Sequence, residues 1–475
     1  MQQRLSVILD TGLTGKYKKY FLPLTVLIIA CYMIFFLQFN GLYGQDSHAY
    51  LKYAKELKHV VLEGTETSSF FWPIFYPLLG AVVGIVGLPI AMMMQIISIA
   101  AFLGTLMQLS KIISLVYAKD ATIYIFLGAA TQVYFMRGGF LVMSDMLDCF
   151  FITTIVWKFL QWQKEKKIQF FVFILLLSFF AFTTRYPSII VVGPMVVVCS
   201  MHYFKLLRFP LQLILGLLVL LIASFIVYLN NRFIIESLHI FHSWNFSNWF
   251  SVDLVGRDGV SSHTVPNVLY VFGNLFHIGY LSFGIGLIPF YNRLRMNSTL
   301  LLGLILYVLL LVGISTQNYR FLLIVHPIIL FLLFPAFDGL WEWLTNKRLR
   351  VIFVLGVVVF NASFFIYSFS KTLTVYSTER EIVEALKQIN SDAPIYSFYV
   401  DQSFTSYGIQ NKVYNFYYED YSDFESGALV VFNESQFKKQ WKGHHVMNNW
   451  NRLKSNYELD TLKVVKSNWR IYRIK

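Results

Sequence analysis

The sequence predicts a polytopic α-helical membrane protein with a small α/β domain at its C-terminal end. Three observations point there. Hydrophobic residues make up 56% of the 475 and charged residues only 14%, whereas a soluble domain carries roughly a quarter charged. Apolar runs of about 17–25 residues, each long enough to cross a bilayer as a helix, recur along the chain. From Lys371 onward charge rises and short β-rich runs alternate with helical ones.

In chain order, apolar helices are expected at about 22–39, 91–109, 121–135, 141–160, 168–184, 187–203, 210–229, 267–290, 299–315, 320–336 and 350–368, about eleven spans. The first run follows Lys16, Lys18 and Lys19, as a signal peptide would. It ends in Gln38-Phe39-Asn40-Gly41 without a small-x-small cleavage site, so it is retained as a span. Between Phe70 and Ile90, the stretch Phe70-Phe71-Trp72-Pro73-Ile74-Phe75-Tyr76-Pro77 has the prolines and aromatics of a segment lying at the interface.

Lys and Arg support that parity. With 73–90 counted as non-spanning, Lys16/Lys18/Lys19, Lys111/Lys119, Lys164/Lys166/Lys167, Lys205/Arg208, Arg293/Arg295 and Lys347/Arg348/Arg350 all fall on one side. The positive-inside rule makes that side the cytoplasm. It puts the N-terminus inside, and a first loop at 40–72, a long loop at 230–266 and everything after Lys371 outside. Of the net charge of +13, the part from Lys371 onward contributes little, with 14 basic and 12 acidic residues against 25 and 14 before it. The excess is a topology signal and not a nucleic-acid footprint. Cys31, Cys149 and Cys199 lie inside apolar runs and read as buried hydrophobes.

In the C-terminal part, strands are expected at Ile395–Val400, Lys412–Phe416, Ala428–Phe432 and Trp469–Ile474, with helices at Thr378–Asn390 and Glu434–Trp441. The division is thus a membrane unit over 1–370 and an external α/β domain over 371–475.

Chemistry-bearing residues cluster at the outer ends of the helices. Gly44-Gln45-Asp46-Ser47-His48-Ala49-Tyr50 follows the first span. Asp46 there suits a general base, or a cation ligand together with His48 and a Glu of the same loop. The structural alternative is an N-cap of a helix over Ser47–Leu57. Asp145 and Asp148 open the helix after the second outer turn and share a face. Acids this close to lipid usually look into a polar cavity, and capping is again the alternative. Arg185, in Thr184-Arg185-Tyr186-Pro187, and Arg320, in Asn318-Tyr319-Arg320-Phe321, interrupt apolar runs at the outer face. A guanidinium there suits a phosphate, or snorkels to headgroups. The 230–266 loop adds His239, His242, Trp244, Trp249, Asp253, Arg257, Asp258 and His263, without a compact zinc spacing.

Taken in order, these motifs resemble the GT-C superfamily of polyprenyl-phosphate-sugar-dependent glycosyltransferases. The similarity is strongest to the bacterial branch that includes protein O-mannosyltransferases and lipid A aminoarabinose transferases. It rests on Asp46 in the first outer loop, Trp72-Pro73-Ile74-Phe75-Tyr76-Pro77, Ser144-Asp145, Arg185-Tyr186-Pro187, and Tyr319-Arg320-Phe321 before Pro327. It covers about residues 20–370.

The resemblance implies an inverting transferase acting at the outer face of a bacterial inner membrane. Asp46 would be the base, Asp145 a catalytic partner for acceptor or cation, and Arg185 and Arg320 would lie near the lipid phosphate. His48, Tyr50 and Tyr319 complete the expected substrate-binding set. Asp46, His48 and Asp145 are the candidate ligands should a divalent cation, Mg or Mn, take part. Where many relatives have adjacent acids, this chain has Asp46-Ser47-His48, which leaves metal use open. The implied partners are a polyprenyl-phosphate-linked sugar and a lipid, glycan or protein acceptor. Two other membrane classes remain: a polysaccharide polymerase or ligase, which would shift weight to the 230–266 loop, and a lipid-linked sugar transporter or flippase, which would need polar or broken helices at mid-membrane.

Overall fold

The computed structural model describes residues 18–68, 70–206, 244–256, 259–438 and 441–475. Helices dominate, since in an apolar environment a backbone must satisfy its own N–H and C=O groups. α1 (Lys18–Cys31) continues into a π turn at Tyr32–Phe36. After a loop comes α2 (Gly44–Glu63), amphipathic and 20 residues long. α3 (Phe75–Ile85) has only 11 residues, about 16 Å at 1.5 Å per residue. Then come α4 (Ile90–Tyr117), α5 (Thr122–Ile125) with a π turn at Phe126–Ala130, α6 (Val133–Phe140), α7 (Asp145–Glu165), α8 (Ile168–Thr184) and α9 (Ser188–Leu206). A small antiparallel hairpin, β1 (Asp253–Gly256) and β2 (Gly259–Ser262), precedes α10 (Asn267–Leu275). α11 (Ser298–Gly313), α12 (His326–Trp343) and α13 (Lys347–Ile389) complete the apolar set.

Several expected helices form differently, each for a local reason. The run at 121–135 is divided among α5, its π turn and α6, and the chain turns extended at Leu141 before α7 starts at Asp145. The run at 267–290 stops at Leu275 and resumes as a 3₁₀ segment, Gly284–Arg293. Gly279, Gly284, Gly286 and Pro289 disfavour a continuous helix there. The run at 320–336 opens as a 3₁₀ turn, Tyr319–Val325, and becomes α-helical only at His326. The expected break near residue 370 is absent. α13 passes through it for 43 residues, because 369–378 contains neither Gly nor Pro. The expected helix at 210–229, together with His239, His242, Arg257 and Asp258, lies outside the described residues.

Among the described residues, four helical segments are long and apolar enough to cross a membrane alone. α6 and α7 add a fifth if that pair, bent by 112°, is one broken span. The segment 319–343 is the hub: 83% of its apolar window is buried inside the protein, against 11% for α13, whose first half faces outward.

Beyond α13 lies a five-stranded sheet in the order β4-β3-β5-β7-β6. β3 (Ile395–Ser397), β4 (Val413–Asn415) and β5 (Leu429–Phe432) are parallel, and β7 (Arg470–Ile474) runs antiparallel to β5 and β6. These four strands lie within the runs expected. β6 (Leu459–Val464), α14 (Asp401–Ser406) and α16 (His445–Asn456) were not anticipated, and the helix at Glu434 is the short α15 (Glu434–Phe437). The sheet has its own apolar core, including Ile395, Val430, Phe432, Trp450 and Ile471.

Candidate active site

Four segments meet: the first turn of α2, the turn before α7, the α8–α9 turn and the 3₁₀ turn at 319–325. The loop carrying α2 is held against the one carrying α7. Val142 N–H donates to the Gly41 carbonyl at 2.9 Å, and Gln95 Nε2 donates to the carbonyls of Phe39 and Phe140, both at 3.1 Å. Gly41 has φ +82°, and a Cβ built there would lie 2.9 Å from Val142 Cγ2. Only glycine meets both demands.

Helical geometry then distributes the α2 side chains. Residues four apart share a face, while two apart are about 200° around the axis. Asp46 and Tyr50 therefore point together. Asp46 Oδ2 accepts from Arg320 Nη2, and the Tyr50 hydroxyl meets Ser144 Oγ at 2.8 Å. His48 points the other way, its Nε2 lying 3.2 Å from Glu379 Oε2. Asp46 makes no cap bond. Tyr43 is the N-cap, and Ser47 Oγ accepts the Tyr43 N–H at 2.6 Å. The capping alternative fails for Asp145 too: no side chain caps α7, and Asp145 Oδ1 accepts from Arg185 Nη1. Asp148, one turn on, accepts from Ser188 Oγ at 2.6 Å.

Two carboxylate–guanidinium pairs thus stand side by side. The guanidinium carbons of Arg185 and Arg320 are each 5.8 Å from the ring centre of Phe321, and Arg320 is within electrostatic reach of Asp145 as well as Asp46. The pairs differ in access. Asp145 and Arg185 are 5% and 10% exposed, whereas Asp46 and Arg320 are 29% and 24% exposed. Arg185 also lines an apolar cleft of about 510 Å³, open mouth included, with Phe71, Trp72, Pro73, Tyr186, Pro187, Tyr307, Leu310, Leu311 and Phe321. Burial pushes the Tyr50 phenol up, so it remains protonated and able to donate.

Asp46, Tyr50, Asp145, Arg185 and Arg320 therefore converge. His48 and Tyr319 do not join them as ligand-facing groups. His48 is buried against Glu379 on the far face of α2. Tyr319 belongs to the wall: its ring stacks on Tyr134 at 4.3 Å, and its hydroxyl accepts from Arg137 Nη1 at 3.0 Å. The cation set proposed from sequence is likewise not assembled. Asp46 and Asp145 each face an arginine, His48 is turned away, and among the described residues no three His, Cys, Asp or Glu are grouped to hold a metal ion. Met143, whose sulfur is 3.0 Å from Arg320 Nη1, and Glu379 carried no sequence signal: the first is apolar, and the second is one charge among several in Ser377-Thr378-Glu379-Arg380-Glu381.

Fold and site together define a helical integral membrane protein with an ion-paired centre beside an apolar cleft. The solved structures it resembles narrow that class. The chain has the fold of ArnT from Cupriavidus metallidurans. Against the apo state the TM-score is 0.60, with 12% identity over 94% of this chain and 97% of that one. Against ArnT bound to undecaprenyl phosphate it is 0.59, also with 12% identity, over 96% and 98%. The sequence matches no family model and no curated protein.

Proposed function

We propose that this protein is an inverting glycosyltransferase that takes a sugar from a polyprenyl-phosphate donor and attaches it to a lipid, glycan or protein acceptor at the outer face of a bacterial inner membrane. The observation that carries the proposal is the pair of arginines about one Phe321 ring, each neutralised by a carboxylate and one of them, Arg185, lining an apolar cleft, in a fold shared with a protein solved with undecaprenyl phosphate bound.

The chemistry follows from the charges. Without ligand, Arg185 and Arg320 are each balanced by one aspartate. An incoming phosphate is the stronger bidentate acceptor and competes for both guanidinium groups, while the prenyl chain occupies the apolar cleft. Drawing Arg320 to phosphate leaves the more exposed carboxylate, Asp46, free to take the acceptor's proton. As the glycosidic C–O bond to phosphate breaks, the departing oxygen's charge is held by the arginines. Asp145 keeps Arg185 oriented, and Tyr50 and Ser144 supply hydroxyls beside the reacting centre. Among the described residues no three His, Cys, Asp or Glu are grouped to hold a cation, and the steps above are carried by side chains of this chain. The proposal includes about eleven spans, a cytoplasmic N-terminus, a membrane catalytic unit over 1–370 and an extracytoplasmic 371–475.

The test is transfer by the full chain in proteoliposomes, followed as release of polyprenyl phosphate. A general base contributes about 10²–10⁴-fold to rate, so Asp46→Asn lowers turnover by about that factor while donor binding persists. Turnover near wild type in this variant would place the base elsewhere.

A further inference from the structure

We infer that the C-terminal α/β unit positions the catalytic carboxylate, acting on α2 through the buried His48–Glu379 pair. The inference rests on the reading of Asp46 as the base, and assigns His48 and Glu379 as positioning residues, in contact with neither donor nor acceptor.

The pair is buried on both sides, each side chain 1% exposed. Glu379 belongs to the outer half of α13, where Phe369, Thr372, Tyr376, Glu379, Ile382 and Leu386 form a buried stripe at the three- and four-residue spacing of one helix face. That stripe grips the loop before α2: Phe369 and Tyr376 each meet the Phe39 ring edge-on at 5.2 Å, and the Tyr376 hydroxyl donates to the Gln38 carbonyl at 3.0 Å. From the sheet side, α14 packs on α2, and the Tyr407 ring meets the His48 ring at 5.6 Å. Asp401 of α14 is buried and tied to β4 by Asn415 Nδ2 at 2.9 Å.

The first turn of α2 is therefore held between two anchors on opposite faces. On one, Asp46 reaches Arg320. On the other, His48 reaches Glu379. A rotation of the turn that lost the second anchor would move Asp46 with it. A misplacement of about 1 Å at a reacting group costs about a hundredfold in rate. A polar pair is not needed merely to fill this space. The contact between His48 Nε2 and Glu379 Oε2 adds direction, which an apolar contact would not.

The experiment uses the full chain in nanodiscs, with two readouts. Amide hydrogen exchange over 44–51 reports the anchor directly and needs no turnover. Donor-dependent transfer reports its consequence. Glu379→Ala is expected to speed exchange at 44–51 by about tenfold or more, leaving 395–474 unchanged, since local opening is independent of global unfolding. It lowers kcat by about 10–100-fold with donor KM shifted less than about twofold. Glu379→Gln keeps an acceptor for the imidazole N–H and recovers most of the rate. In an Asp46→Asn background Glu379→Ala produces no further loss of kcat. Unchanged exchange at 44–51 in Glu379→Ala would overturn the inference, as would faster exchange spread evenly over the chain. If the wild-type protein transfers no sugar, the proposed function fails, and the exchange readout still decides whether the anchor exists.

Discussion

Two residues show how strongly surroundings, and not residue type, set a role. Arg320 and Arg185 are both arginines at helix ends, yet both face carboxylates inside the protein and not lipid headgroups. Replacing either with Ala removes a charge-assisted contact worth about 1.5–3 kcal/mol and leaves an aspartate unpaired. Donor affinity is expected to fall about tenfold or more in each variant, with Lys rescuing only part because it lacks the planar fork. Titration with polyprenyl phosphate measures this, and unchanged affinity in both Ala variants would return these residues to a structural role. Asp401 shows the opposite case, a carboxylate that burial works against. Burial, opposed by Asn415, Gln402 and the charge of His48, raises it from 3.8 to about 6. The folded value exceeds the unfolded one, so the native state binds more protons between about pH 4 and 6, and stability falls as pH rises through that window. The cost at neutral pH is about 1–3 kcal/mol at 1.36 kcal/mol per unit. Asp401→Asn is expected to raise the thermal midpoint at pH 7.5, with the gain vanishing near pH 4. A lower midpoint at pH 7.5 would mean that the charge is needed, with His48 as its partner.

At the scale of elements, the loop at 37–43 decides where Asp46 goes. Gly41 and Gly64 both have left-handed φ, +82° and +69°, but only Gly41 has atoms where a Cβ would be. Gly64→Ala carries the conformational cost alone, about 1–2 kcal/mol. Gly41→Ala adds a clash with Val142 and Gln95 and is expected to be the more destabilising, with a larger loss of transfer, as α2 is pushed from α7. Equal effects on thermal stability in detergent would show that the loop absorbs the methyl. The continuity of α13 matters for the same reason. A helix without Gly or Pro at 369–378 transmits the position of the sheet to the turn that carries Asp46, which a flexible linker could not do.

For the whole molecule, the outward faces are apolar where lipid is expected: Phe36, Ile285, Val359 and Ile366 are all exposed. Positive-inside parity sets the expected outcome of labelling. Cys149 and Cys199 are buried and Cys31 half-buried, so the native thiols give little background. A cysteine added at Lys475 should react with an impermeant maleimide from the outside of intact cells, and one at Lys347 only after lysis. Labelling of Lys475→Cys only after lysis would reverse the parity and move Asp46 to the cytoplasm.

How much of this was legible beforehand depended on the range of the interaction. The helical class follows from composition and from runs of apolar residues, which are local properties, and so do the four strands near 395, 413, 429 and 470. Asp46, Asp145, Arg185 and Arg320 could be singled out because a charge beside an apolar run is costly and therefore visible in the sequence. Their pairing could not. Asp46 and Arg320 are 274 positions apart, and nothing in either neighbourhood specifies the other. His48 is the clearest case. Its closeness to Asp46 in sequence suggested a shared ligand, but two residues along a helix is just over a half-turn, and the partner on the far side is Glu379, 331 positions away. Local patterning determined which residues were expensive to place. Only tertiary packing decided what each one faced, because helix geometry separates neighbours in sequence and the fold brings together groups no local rule connects.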